Sequence, residues 1–131
     1  MITLDTSAIV ALGSPRDRWH GRAIAAVDTE PGPYIVPCGV LGEVGYVLPM
    51  RAPGDPMTDL TASLEDATLL LDCEADFSRI RDLMSQYSDL SLGFADASVI
   101  ACAERNGGRV LTFDRRDFEV VAREGKITIV P

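Results

Sequence analysis

Short apolar runs alternate with segments of helical period along almost the whole chain. This alternation is the strongest constraint on its fold. Met1–Leu4, Tyr34–Val36, Thr68–Cys73, Arg109–Phe113 and Lys126–Val130 read as strands. Thr6–Leu12, Arg16–Val27, Cys38–Leu48, Met57–Leu69, Ala75–Tyr87, Phe94–Asn106 and Arg115–Arg123 read as helices. The helix over 75–87 is the clearest, with Phe77, Ile80, Leu83, Met84 and Tyr87 forming one stripe. Turn signals separate the elements at Gly13-Ser14-Pro15, Pro31-Gly32-Pro33, Arg51–Pro56 and Gly107-Gly108. Strands joined by helices run parallel and are covered on both sides. The expected fold is therefore an α/β protein: a three-layer α/β/α sandwich with a central, mainly parallel sheet.

The chain length of 131 residues suits a single domain over 1–131. No apolar run approaches the ~20 residues needed to cross a bilayer, so no membrane role is expected. Met1-Ile2-Thr3-Leu4-Asp5 lacks the basic segment of a signal peptide. Cys38, Cys73 and Cys102 are odd in number and without CxxC spacing. They are expected to be small buried hydrophobes in a reducing cytoplasm, with neither a disulfide nor a zinc site. His20, the one histidine, cannot build a multi-histidine centre and is placed on a helix surface. Gly39, Gly42 and Gly45 each cost a helix about 1 kcal/mol, so they imply close packing or room for a ligand.

The net charge of −8 excludes broad electrostatic coating of nucleic acid or an anionic membrane. It leaves open a local site that works through bound cations. In parallel sheets such sites lie beyond the carboxyl ends of the strands. Asp5 directly follows the first strand and Asp114 follows Val110–Phe113. Glu43 is the only charged residue between Glu30 and Arg51, and Asp96 opens an otherwise apolar helix. Singly, Asp5 and Asp114 suit helix caps, Asp96 suits a helix dipole and Glu43 suits an ion pair. Together, four carboxylates at one sheet end repel by about 4 kcal/mol per close pair at an effective dielectric of 20. Such a group calls for a divalent cation, and oxygen-only ligands favour Mg²⁺ or Mn²⁺ over Zn²⁺. The corresponding chemistry is hydrolysis or transfer at phosphate.

Leu4-Asp5-Thr6-Ser7-Ala8, Gly42-Glu43-Val44, Gly93-Phe94-Ala95-Asp96-Ala97-Ser98 and Leu111-Thr112-Phe113-Asp114-Arg115-Arg116-Asp117-Phe118 resemble the PIN-domain family. The resemblance spans Met1 to Pro131 and is nearest to the VapC toxins of toxin–antitoxin pairs. It implies Asp5, Glu43, Asp96 and Asp114 as a catalytic, metal-binding quartet, with the Ser7 and Thr112 hydroxyls beside it. It also implies Mg²⁺- or Mn²⁺-dependent endoribonuclease activity on RNA, inhibition by a VapB-type antitoxin, and a homodimer. Arg115 and Arg116 are candidates for holding RNA phosphates, with pairing to Asp117 or Glu119 as the plainer alternative. Arg51 is a weaker candidate of the same kind. Trp19, Tyr34 and Tyr46 could stack bases, although core packing suits each better. Asp117 could be an accessory acid, although a surface position suits it better.

Two rival readings stay open. One is a Mg²⁺-dependent aspartyl phosphohydrolase with Asp5 as nucleophile. It wants an acid two residues later, where Ser7 stands, and a late lysine, for which only Lys126 is available. The other is a non-catalytic PIN-like module that binds RNA or protein, which predicts an incomplete quartet.

Overall fold

The structure, a computed structural model, describes residues Met1–Pro131. Five strands form one parallel sheet in the order β3-β2-β1-β4-β5. They are β1 (Ile2–Leu4), β2 (Tyr34–Pro37), β3 (Leu69–Asp72), β4 (Arg109–Leu111) and β5 (Thr128–Val130). The helices are α1 (Thr6–Gly13), α2 (His20–Thr29), α3 (Leu41–Arg51), α4 (Pro56–Glu65), α5 (Phe77–Gln86), α6 (Phe94–Arg105) and α7 (Arg115–Ala122). Short 3₁₀ turns precede α3 and α6.

The chain first moves outward from β1 to β2 to β3, then crosses back to β4 on the other side of β1. Crossovers of one hand place helices on opposite faces when the direction reverses. The α1–α4 group therefore covers one face, while α5, α6 and α7 cover the other. The reversal lies between β1 and β4, and a crevice opens there at the carboxyl ends of the strands. Leu4, Val36, Val110 and Leu111 of the sheet join Val44 and Leu48 of α3 and Val99 and Ile100 of α6 in one buried core.

Several boundaries differ from the sequence reading for identifiable reasons. The helix expected from Arg16 begins only at His20, because the Asp17 carboxylate accepts from the Trp19 N–H and turns 14–19 into a loop. The helix expected over 57–69 runs from Pro56 to Glu65. Proline suits a first helical position, and the Asp55 side chain caps it by accepting from the Thr58 N–H. The left-handed Ala67, with φ 61°, separates that helix from β3. Strand β4 stops at Leu111 rather than Phe113, because the Phe113 N–H turns away to the Ser7 hydroxyl. Gly39 alone meets the packing explanation for its glycine: a Cβ there would stand 2.3 Å from Ser98 Oγ on α6. Around Gly42 there is open space.

The expectation of no disulfide is overturned. Parallel pairing of β2 with β3 sets Pro37 opposite Asp72, so Cys38 and Cys73 emerge side by side. Their Cα atoms are 5.1 Å apart and their sulfurs are joined. Cys38 is half-buried and Cys73 exposed, so only Cys102 is the buried thiol expected of all three. His20 also does more than decorate a helix, since its Nδ1 lies 2.7 Å from the Ala11 carbonyl oxygen and links α2 to α1. No helix is long and apolar enough to cross a membrane.

Candidate active site

Asp5 leaves β1 at its carboxyl end and Asp114 follows β4, on either side of the sheet's reversal point. Asp96 projects from the first turn of α6 and Glu43 from the first turn of α3. All four line one open cleft of about 740 Å³. Asp5 is 4% exposed, Asp96 is half-buried, and Asp114 and Glu43 are exposed. Glu43, the one charge on an apolar stretch, thus faces solvent.

Asp96 does sit in the first turn of α6, where a helix dipole favours an acid, but the cap and ion-pair roles open to the other three are absent. Asp5 and Asp114 both occupy N-cap positions, yet neither side chain makes a capping hydrogen bond. None of the four carboxylates forms an ion pair. Asp5 is held instead by hydroxyls. Ser7 Oγ and Thr112 Oγ1 each donate to Asp5 Oδ2 at 2.8 Å. The same two oxygens accept from the turn after β4: Phe113 N–H to Ser7 at 2.9 Å, and Asp114 N–H to Thr112 at 3.1 Å. This hydroxyl bridge fixes Asp114 relative to Asp5, although the two are far apart in the chain.

Burial raises the Asp5 pKa, and the hydrogen bonds from Thr112, Ser7 and the Thr6 backbone only partly offset it. Asp96 is pushed up to about 6, first by burial and then by the charges of Asp5, Asp114, Glu43 and Asp117. Asp5 and Asp96 thus carry an unmet demand for positive charge.

The residues fit a hard divalent cation. Their donors are all oxygen, and they carry no internal counter-charge. Thr6 Oγ1, buried in the cleft wall, also lacks a hydrogen-bond partner. No group of three acids is gathered tightly enough to ligate an ion directly as it stands.

Arg115 and Arg116 lie outside the cleft lining. Arg115 pairs with Glu119 at 2.9 Å and donates to the Pro131 carbonyl, which is the plainer alternative considered for it. The arginines that do line the cleft are Arg16, Arg18 and Arg51, joined by Trp19. Reading 16–27 as a helix hid the first two; the Ser14-Pro15 pair and Asp17 were the loop signal. Tyr34 anchors locally by donating to the Val27 carbonyl at 2.8 Å, whereas Tyr46 is 72% exposed rather than packed in the core. Asp117 is half-buried, with Oδ1 enclosed and without a hydrogen-bond partner.

The sequence profile of the PIN domain family matches residues 2–124. The chain belongs to the PIN domain family. One relative within reach of sequence comparison is Ribonuclease VapC26 of Mycobacterium tuberculosis (strain ATCC 25618 / H37Rv). It is 27% identical over 133 residues, covering 98% of each chain. Among solved structures, the Mycobacterium tuberculosis toxin VapC20, described as cleaving the sarcin–ricin loop, superposes with a TM-score of 0.80. That match covers 92% of this chain and 95% of the toxin at 21% identity, and it shows the shared PIN-like α/β fold.

Proposed function

We propose that this PIN-domain chain, a single domain over 1–131, is a VapC-type toxin: an endoribonuclease that hydrolyses RNA phosphodiester bonds with Mg²⁺ or Mn²⁺. The observation that carries the reading is the uncompensated quartet in the crevice at the sheet's reversal point. The full-length similarity to a protein named as a VapC ribonuclease supports it. A VapB-type antitoxin, a homodimer and a cytoplasmic setting follow from the same reading.

Asp5, Asp96 and Asp114 would hold the cation directly or through water, with Glu43 completing the site from the opposite helix. Bound there, the cation would supply Lewis-acid polarisation of the phosphate and an acidified water. Ser7 and Thr112 orient Asp5, and their hydrogen bonds partly offset the effect of its burial. The aspartyl phosphohydrolase alternative loses its lysine, because Lys126 precedes β5 and so stands at the opposite end of the parallel sheet. The non-catalytic alternative predicts a broken quartet, and all four acids share the cleft.

The test incubates the purified protein with total RNA in Mg²⁺ or Mn²⁺, alongside EDTA and Asp5→Asn controls. Discrete fragments only with metal and an intact Asp5 are expected. Equal cleavage in EDTA would reject the assignment.

A further inference from the structure

One wall of the cleft is positive, in a protein whose net charge is −8. Arg16 and Arg18 project from the loop between α1 and α2, both are exposed, and neither forms an ion pair. Elsewhere Arg79, Arg105, Arg109 and Arg115 are committed to carboxylates. Arg51 reaches the same wall with only a 4.0 Å edge contact to Asp17.

This loop is fastened, not slack. Ser14 Oγ donates to the Arg51 carbonyl at 2.7 Å, tying it to the end of α3. Asp17 accepts from the Trp19 N–H at 2.8 Å. The His20 ring meets the Ala11 carbonyl oxygen at 2.7 Å. The Trp19 ring stacks on Phe113, with centroids 5.5 Å apart and planes 11° from parallel. Phe113 adjoins Asp114, so the stack sets the loop beside the quartet. The Arg18 guanidinium lies 4.4 Å from the Trp19 ring centroid. A cation–π contact fixes a guanidinium plane without using its N–H donors. Those donors remain available for phosphate oxygens.

Resting on the reading of the cleft as an RNA-cleaving site, we propose that the loop over 14–19 is its substrate-gripping wall. Arg16 and Arg18 take backbone phosphates flanking the one that reacts, and Trp19 is a positioning residue that holds Arg18 in place. The contacts are to phosphate, so this wall supplies grip independent of base sequence. It also brings local attraction to a chain whose overall charge repels RNA.

The experiment uses the full chain and a fluorescein-labelled single-stranded RNA of mixed sequence in Mg²⁺. Binding is read by stopped-flow anisotropy before cleavage accumulates, over a series of salt concentrations. The Arg16→Gln/Arg18→Gln double variant is expected to bind about tenfold more weakly or worse. Its log–log salt slope should fall by about 0.7 for each lost contact. Arg81→Gln/Arg123→Gln, which alters exposed arginines outside the cleft, should bind as the wild type does. Trp19→Ala should raise KM with little change in kcat, and Trp19→Phe should restore much of the loss. If the Arg16/Arg18 variant binds like the Arg81/Arg123 control with an unaltered slope, the gripping wall is wrong while the metal-dependent site stands. If the wild type binds no RNA, both fall.

Discussion

Asp5 and Asp72 obey the same rule of position, yet their surroundings give them opposite roles. Each lies at the carboxyl end of a parallel strand, where sites in such sheets form. Around Asp72, α6 delivers an answer to the charge. Arg105 Nη2 lies 3.2 Å from both carboxylate oxygens, Asn106 donates at 2.9 Å, and the Cys102 thiol donates at 3.3 Å. Burial opposes ionisation there, but hydrogen bonds from the Glu74 backbone, Asn106 and Cys102, together with Arg105, outweigh it. The Asp72 carboxyl is held below its usual range. Around Asp5 and Asp96 no cation arrives, and both pKa values rise. Position at a strand end nominates an acid, and the missing counter-charge separates Asp5 from the neutralised Asp72.

The sharpest way to break the comparison is Asp96→Asn. RNA cleavage should fall at least about 100-fold, roughly 3 kcal/mol of transition-state stabilisation. Fragment analysis under metal-replete conditions measures it. A variant near wild-type activity would remove the distinction between the two acid groups.

Next in size is Arg105→Ala. It strips the counter-charge from Asp72, Glu74 and Asp76 together. Denaturant unfolding should show a loss of about 2–3 kcal/mol, while activity per folded molecule is retained. Adding Mg²⁺ at about 100 times its dissociation constant should stabilise the wild type by close to 2.7 kcal/mol. Asp72→Asn should keep that response and Asp96→Asn should lose most of it, as read by thermal melting.

The smallest effect has opposite signs in the two regions. Asp96 binds its proton more tightly in the folded than in the unfolded chain. Its protonation therefore stabilises the fold at low pH, and that contribution is lost as pH rises from about 4 through about 6. In metal-free protein the change should be about 1–2 kcal/mol after allowing for partial exposure, and it should vanish in Asp96→Asn. Asp72 behaves inversely: its stabilisation is present above the ordinary carboxylate pKa and is lost as pH falls through its lowered folded value. Urea midpoints measured across this range separate the two.

Strand–helix alternation was enough to determine the parallel α/β architecture, because periodicity and apolar runs are local properties. Acids placed after strands, with the motif around Asp5, Glu43, Asp96 and Asp114, nominated the quartet for the same reason. The electrostatic state of those acids was not local. Asp72 was silent in the sequence because Arg105 and Asn106 reach it from more than thirty residues away. Strand register was equally invisible, and it alone set Cys38 beside Cys73. The arginine wall was hidden by a helical reading that Asp17's side-chain hydrogen bond defeats. Sequence determined which groups the strands and helices carry and in what order. Only the tertiary structure decided which charges meet a partner, because that depends on distances between segments remote in the chain.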